Sequence, residues 1–120
     1  MKELDKDETN QETERLLAQS NQQYYVLRLY VSGTTHQSAL AIQNIQKICE
    51  DYLKNRYELE VIDIYQQPQL AQAAQIIAVP TLVRQLPLPL RKLVGNMSDT
   101  ERVLVSLDLQ PEKLNQINAT

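Results

Sequence analysis

The segment YYVLRLYV at residues 24–31 restricts the fold more than any other part of this sequence. Its β-branched and aromatic residues predict a strand, and alternate positions from Tyr25 to Val31 are apolar. The opposite face also carries an apolar residue, Val26, next to Arg28. A strand that is apolar on both faces is typical of the middle of a sheet, because each face needs cover. We therefore predict that residues 24–31 form a central strand.

A helix is predicted to follow this strand after the turn SGTTHQS. Ser38 is a suitable N-cap, and the helical pattern continues to about Leu53. The apolar stripe at helical spacing consists of Ile42, Ile45, Ile48, Cys49, Tyr52 and Leu53. The position of Cys49 inside this stripe predicts a small buried side chain rather than a reactive thiol. A second strand, YELEVIDIY at residues 57–65, then completes a βαβ unit.

The chain continues with a short helix that a proline introduces. Gln67 and Pro68 fit the N-cap and the first helical position, because proline needs no backbone N–H donor there. The pattern runs through Ala74 and predicts a helix end at about Ile77.

Two further strands and a last helix are predicted after this point. Residues 79–83 and 90–94 are short apolar segments, and the PLP sequence at residues 87–89 predicts a stiff turn between them. Ser98 and Glu101 match the N-cap and N3 positions of a capping box. The inner face of the helix that follows is predicted to consist of Val103, Leu104 and Leu107.

These elements predict an α/β domain of the thioredoxin-like type, with the order βαβαββα and a mixed sheet between helical layers. Residues 1–20 hold six acidic and three basic side chains, whereas residues 21–120 hold nine of each. We therefore divide the chain into an acidic flexible arm (1–20), the domain (21–109) and a polar tail (110–120).

Composition disfavours several classes of function. The domain has no basic surplus with which to neutralise phosphates, so nucleic-acid binding is not expected. No run of about eighteen apolar residues is present, and the N-terminus lacks the apolar segment of a secretory signal. We therefore expect a cytoplasmic protein without a membrane span.

The residues that catalysis would need are sparse. In thioredoxin-type oxidoreductases a CxxC pair follows the first strand, where the helix dipole lowers a thiol pKa. Here the turn reads TTHQS, and Cys49 is the only cysteine. His36, the only histidine, has no second ligand in the turn to build a metal site. Glu58 and Glu60 indicate a solvated strand face. We predict no enzyme activity, no catalytic residues, no metal and no cofactor.

Three segments together resemble a known family. They are YYVLRLYVSGTTHQSALAI, YELEVIDIYQQPQLAQAAQIIAVPTL and LPLPLRKLVGNMSDTERVLVSLDL, which extend from about Tyr24 to Leu109. The PQLA and PTL motifs, followed by the final SD-x-E and LDL motifs, are similar to those of KaiB, the small cyanobacterial circadian clock protein. The sensory domain of the clock output kinase is also similar, but a kinase region follows that domain and is absent here.

The resemblance implies a binding protein. KaiB-like proteins bind the ATPase ring of KaiC and then capture KaiA, which turns KaiC from autophosphorylation to autodephosphorylation. The family also switches its fold. A resting homo-oligomer (a tetramer or dimer) with another arrangement of the C-terminal half converts to a thioredoxin-like monomer that binds the ring.

Two other functions stay open at this point. One is a thioredoxin-like stress-response adaptor with no clock role and no ATPase partner. The other is a thiol redox enzyme, which the absence of a CxxC pair disfavours.

The resemblance also implies which residues matter. Those that match the family's partner-binding positions are Gln66, Gln67, Leu70, Gln75 and Leu40. Those that match family positions that shape the fold, or that set the equilibrium between the two folds, are Pro80, Pro87, Pro89, Gly95 and Asn96. Pro80 corresponds to the cis-proline of thioredoxin-like folds. Gly95 is expected to adopt positive φ in one of the two folds, and alanine there is expected to favour the thioredoxin-like one.

This chain departs from the family pattern mainly by losing charge. Leu40 replaces a common basic residue, Gln66 and Gln67 replace Lys-Asn, and Asn96 replaces an aspartate. The charged residues after the PQLA motif are absent as well, and Leu88 interrupts a triple proline. Because exposed charges set partner choice and association rate, we predict a divergent member that serves a non-standard KaiC. A standard oscillator component is the second interpretation.

Overall fold

Strands and helices alternate along residues 23–109, the part of the chain that the computed structural model describes. In chain order the elements are β1 (Tyr25–Val31), α1 (His36–Tyr52), β2 (Tyr57–Asp63), α2 (Pro68–Ala73), β3 (Thr81–Leu86), β4 (Arg91–Val94) and α3 (Thr100–Ser106). The predicted order βαβαββα is confirmed. The predicted arm (1–20) and tail (110–120) lie outside the described residues.

The four strands form one mixed sheet in the order β2–β1–β3–β4. β1 runs parallel to β2 and antiparallel to β3, and β3 runs antiparallel to β4. A parallel pair needs a crossover connection, which α1 supplies between β1 and β2. β1 therefore lies inside the sheet, as its two apolar faces predict.

The larger core lies between one face of the sheet and helices α1 and α3. Its β1 residues are the predicted set Tyr25, Leu27, Leu29 and Val31, and its α3 residues are Val103 and Leu104, with Leu107 just beyond. Helix α1 contributes Ala41, Ile45, Ile48 and Cys49. The opposite face has a smaller cluster of Tyr30, Ile62 and Val83, against which residues of the α2 region pack. The sheet thus has one thickly covered face and one thinly covered face.

Helix α1 begins earlier than predicted. Its N-cap is Thr35, whose Oγ1 accepts a hydrogen bond from the backbone N of Ser38 at 3.2 Å. Ser38 is buried within the first turn, where its Oγ accepts a hydrogen bond from the backbone N of Ser32 at 3.1 Å. The prediction that Ser38 caps this helix is therefore wrong, because the end of β1 uses its hydroxyl instead.

The start of α3 is also displaced, but by one residue toward the C-terminus. Asp99 is the N-cap, and its Oδ1 accepts a hydrogen bond from the backbone N of Arg102 at 3.2 Å. Ser98 donates its backbone N–H to Oδ1 of Asn96 at 3.0 Å and so belongs to the preceding loop. The predicted capping box of Ser98 and Glu101 is therefore wrong, because the N-cap lies one residue later. Ser and Asp are both good N-caps, and the loop bond from Ser98 to Asn96 leaves Asp99 as the cap.

Two elements end before their predicted limits. β2 ends at Asp63, whose Oδ1 accepts a hydrogen bond from the backbone N of Tyr65 at 2.8 Å and turns the chain. Helix α2 ends at Ala73 rather than about Ile77, because Gln75 adopts a left-handed φ of 57°. Lys92 donates from Nζ to the carbonyl oxygens of Ala74 (2.6 Å) and Gln75 (3.3 Å), which satisfies acceptors at this helix end.

Candidate partner-binding surface

The turn between β2 and α2 presents two of the predicted partner-binding residues. The backbone N–H groups of Gln66 and Gln67 both donate to the carbonyl oxygen of Asp63, at 3.1 Å and 2.9 Å. These bonds hold the turn while both glutamine side chains remain exposed. Tyr65, in the same turn, is 75% exposed. The turn therefore offers an aromatic ring and two amides to solvent.

Helix α2 places the other two predicted residues of this group differently. Leu70 is half-buried and packs against the smaller cluster around Tyr30. Gln75 is exposed just beyond the helix end. The N-cap, Gln67, makes no side-chain capping bond, and no residue of the helix is buried. Gln66, Gln67 and Gln75 can thus contact a partner directly, whereas Leu70 mainly anchors α2 to the sheet.

Leu40 is not brought together with these residues. It is half-buried on α1, which covers the opposite face of the sheet from α2. A partner that contacts Leu40 as well as the α2 residues has to reach around the end of the sheet where β1 and β2 terminate.

The three prolines singled out in the sequence flank β3 and β4. Pro80, Pro87 and Pro89 each follow a cis peptide bond, as expected for Pro80. Pro80 is buried, and its carbonyl oxygen accepts a hydrogen bond from the backbone N of Gly95 at 2.9 Å. The loop before β3 and the loop after β4 are therefore joined directly.

Gly95 and Asn96 tie the second of these loops to α1. Nδ2 of Asn96 donates to Oε1 of Gln37 at 2.9 Å, and Nδ2 of Asn44 donates to the carbonyl oxygen of Asn96 at 2.9 Å. Gly95 has the expected positive φ, at 133° in this fold. Alanine is strained at that φ. Gly95→Ala can therefore favour the thioredoxin-like fold only if alanine is more strained still in the other fold that the resemblance implies.

Sequence reasoning overlooked two exposed apolar side chains beside α2. Tyr65 precedes the helix, and Ile77, which is 98% exposed, follows it. The sequence signal is present in retrospect, because both lie beside short proline-introduced elements where an apolar side chain has little to pack against. With the three glutamines they give a set of exposed, uncharged side chains before and after α2, which we call the α2 surface (Tyr65, Gln66, Gln67, Gln75 and Ile77).

In the part of the chain that the structure describes, the thiol, imidazole and carboxylate groups singled out in the sequence do not form a metal-binding cluster. Cys49 is fully buried, and burial raises the pKa of its thiol to about 12, so the thiolate is scarce near neutral pH. His36 is exposed at the first position of α1. Glu58 and Glu60 are exposed as predicted, and Glu60 forms an ion pair with Nε of Arg28 at 3.2 Å. Within residues 23–109, no group of three or more His, Cys, Asp or Glu side chains could hold a metal ion.

A buried arginine was also overlooked. Arg84 in β3 is only 1% exposed, and it donates to Oδ2 of Asp108 and to the carbonyl oxygen of Pro89, both at 2.8 Å. Its side chain thus connects the turn between β3 and β4 with the end of α3. No helix among residues 23–109 is both long enough and apolar enough to cross a bilayer.

Comparison of the sequence with known proteins identifies a family. The family model described as the KaiB domain matches residues 28–109. The "Circadian clock protein KaiB3" of Synechocystis sp. is 48% identical over 89 residues, which covers 74% of this chain and 87% of that protein. The "Circadian clock oscillator protein KaiB" of Rippkaea orientalis is 47% identical over 92 residues, covering 77% and 88% of the two chains.

Solved structures show the same fold. The N-terminal domain of Synechococcus elongatus SasA matches with a TM-score of 0.55 and 26% identity, over 69% of this chain and 85% of that domain. Mitochondrial thioredoxin 3 from Saccharomyces cerevisiae matches with a TM-score of 0.60 and 18% identity, over 73% and 81% of the chains, which shows a shared thioredoxin-like fold. Since the family model spans most of the chain and the clock proteins share nearly half of their aligned residues with it, this chain belongs to the KaiB family.

Proposed function

We propose that this protein is a clock regulator that binds a KaiC-type ATPase ring in the cytoplasm and promotes the dephosphorylation phase of that ATPase. The observation that carries the proposal is the match of residues 28–109 to the KaiB domain, together with relatives named as circadian clock proteins. The protein acts by binding rather than by catalysis. Its second partner is a KaiA-like protein. At rest it forms a homo-oligomer.

The α2 surface is the contact we assign to the ATPase. Gln66, Gln67 and Gln75 are exposed there, and the Tyr65 and Ile77 side chains beside them offer apolar area. Interfaces typically combine apolar and aromatic contacts in their centre with polar groups at the rim. The uncharged character of the surface supports a ring partner that carries few complementary charges, which we identify as a non-standard KaiC.

A binding experiment with the purified KaiC-type ATPases of the same organism tests the proposal. We expect slow association with one of them and faster loss of its phosphate when this protein is present. The double variant Gln66→Ala/Gln67→Ala should weaken binding several-fold. The matched control is Gln43→Ala/Gln46→Ala, which changes two exposed glutamines on α1. Failure to bind any KaiC-type ATPase would favour the adaptor function instead.

The proposed choice of a non-standard KaiC has a separate test in the association rate. Gln66→Lys restores a positive charge at the α2 surface, and Leu40→Arg restores one on α1. Each change should speed association with a standard KaiC at low salt, and the gain should shrink when salt screens charges over about 8–10 Å. Equal rates for wild type and both variants at every salt concentration would contradict a role for the missing charges in partner choice.

A further inference from the structure

The thinly covered face of the sheet contains a groove that the proposed partner contact does not explain. It has a volume of about 400 Å³ and lies beside the C-terminal end of α2. Tyr30 and Val83 line it from the sheet, Leu70 and Gln75 from α2 and the residues after it, and Leu90 from the turn before β4. Clefts of this size that are mostly apolar with a few polar groups are typical of small-molecule sites.

Two cationic side chains flank the floor of the groove. Arg28 in β1 pairs with Val83 in β3, and Val83 pairs with Lys92 in β4, so the three side chains form one row across the sheet. Neighbouring strands lie about 4.8 Å apart, which puts the Arg28 and Lys92 Cα atoms about 10 Å from each other. Both side chains line the groove, with the buried Val83 between them.

Both cations retain unused hydrogen-bond donors. Arg28 forms an ion pair with Glu60 through Nε, which leaves the two terminal nitrogens of its guanidinium group for a ligand. Lys92 uses two donors on carbonyl oxygens at the end of α2 and has a third. The side chains that line the groove include these two cations and no carboxylate. Two cationic side chains therefore face the groove in a chain whose net charge is −3, and Glu60 offsets part of the charge of Arg28.

A buried hydroxyl at the groove points to a missing polar ligand. Tyr30 is 0% exposed, and its hydroxyl has no hydrogen-bond partner among residues 23–109. Buried hydroxyl groups almost always have a partner, because leaving one unsatisfied is costly. Tyr30 and Arg28 occupy alternate positions of β1 and so face the same side of the sheet. One ligand oxygen group on this side of the sheet thus faces both residues, and it reaches the Tyr30 hydroxyl once neighbouring side chains shift, because that hydroxyl is closed to solvent in the free protein.

We propose that this groove binds a small amphipathic carboxylate. The carboxylate accepts hydrogen bonds from Arg28 and Tyr30 and lies within the field of Lys92. The apolar body of the ligand packs on Val83, Leu70 and Leu90. This site borders the α2 surface and shares Gln75 with it, but its test uses the protein alone and needs no ATPase partner.

Octanoate serves as the probe, titrated into the full-length protein and followed by amide and arginine side-chain NMR. We expect saturable shifts confined to residues that line the groove. Acetate, which lacks the apolar body, and octanol, which lacks the carboxylate, should each produce much weaker shifts. Saturable binding of octanol equal to that of octanoate would overturn the proposal, as would the absence of saturable octanoate binding.

Three variants locate the site. Arg28→Gln should weaken octanoate binding about tenfold, because it removes a charge-assisted hydrogen bond. Tyr30→Phe should weaken it about fivefold without lowering thermal stability, because the free protein loses only an unpartnered hydroxyl. Arg91→Gln is the matched control, since Arg91 is next to Lys92 in β4 but does not line the groove. Equal octanoate affinity in all three variants would show binding of an adventitious additive only and would overturn the proposal.

Discussion

The two faces of the sheet are built very differently. On one face, the seventeen-residue α1 and the seven-residue α3 bury a continuous core against β1, β3 and β4. On the other, the six-residue α2 contributes no buried residue, and only Tyr30, Ile62 and Val83 form a buried cluster. The partner-binding residues proposed on α2, and the groove, all lie on the second side.

The difference indicates where this protein can change at low cost. Isolated helices as short as α2 are unstable in water, so α2 depends on contacts such as Leu70 with the smaller cluster and Lys92 with its C-terminal carbonyl groups. Regions with few buried contacts open locally at a small fraction of the global free energy of unfolding. A binding surface on such a region can adapt to a partner while the larger core holds the rest of the domain.

The largest expected effect tests this contrast directly. Ile45→Ala removes a fully buried side chain from the larger core and should lower the free energy of unfolding by about 3 kcal/mol. Leu70→Ala removes a half-buried side chain from the thin side and should cost about 1 kcal/mol. Urea denaturation followed by circular dichroism measures both changes. Equal losses for the two variants would show that the thin side is as important to global stability as the larger core.

A smaller effect on the free energy of unfolding is expected at the ion pair between Arg84 and Asp108, on the thickly covered side of the sheet. Asp108→Asn removes the negative charge that pairs with buried Arg84, while asparagine tolerates the left-handed φ of 61° at this position. Because Asp108 is itself 53% exposed, we expect a loss of about 1–2 kcal/mol, below the cost of breaking a fully buried pair.

The control for this link is Asp51→Asn, which breaks the exposed ion pair with Lys47 and should cost less than about 0.5 kcal/mol. Urea denaturation of the two variants side by side makes the comparison. A cost for Asp108→Asn no larger than that of its control would mean that the charge of Asp108 contributes nothing to holding α3 against β3.

The smallest effect concerns alkaline pH. The hydroxyl of Tyr57 in β2 donates to Oε2 of Glu50 in α1 at 2.7 Å, and this hydrogen bond raises the pKa of Tyr57 from 10.0 to about 12. The folded state thus holds this proton more tightly than the unfolded chain. The contribution of the Tyr57–Glu50 hydrogen bond to stability is therefore complete below pH 10 and is lost as the pH rises toward 12.

Thermal melting over this pH range measures the contribution. Tyr57→Phe should show a shallower fall in Tm above pH 10 than the wild-type protein. The fall that remains should begin near pH 9, because burial of Cys49 raises the thiol pKa from 9.0 to about 12 in the same way. Identical pH profiles for the two proteins would contradict a contribution from the bond between α1 and β2.

The sequence predicted the larger core better than the α2 surface. The alternation in β1 and the stripe in α1 named most of the buried residues, including Cys49, because burial on one face of a regular element produces a period that is visible locally. The resemblance named Gln66, Gln67 and Gln75, and the structure exposes them. Their role in partner binding stays a prediction. Leu40 was grouped with them by the resemblance, but it lies on the other side of the sheet.

The sequence by itself determined the order of the elements, the central place of β1 and the membership of the KaiB family. Only the tertiary structure decided which of Thr35 and Ser38 caps α1, and which of Ser98 and Asp99 caps α3. It also decided that Arg84 is buried and that Arg28 and Lys92 flank one groove. The physical reason is the range of the interactions. Apolar periodicity is a property of a few consecutive residues, whereas a hydrogen-bond partner or a shared groove depends on strands that the fold brings together from distant parts of the chain.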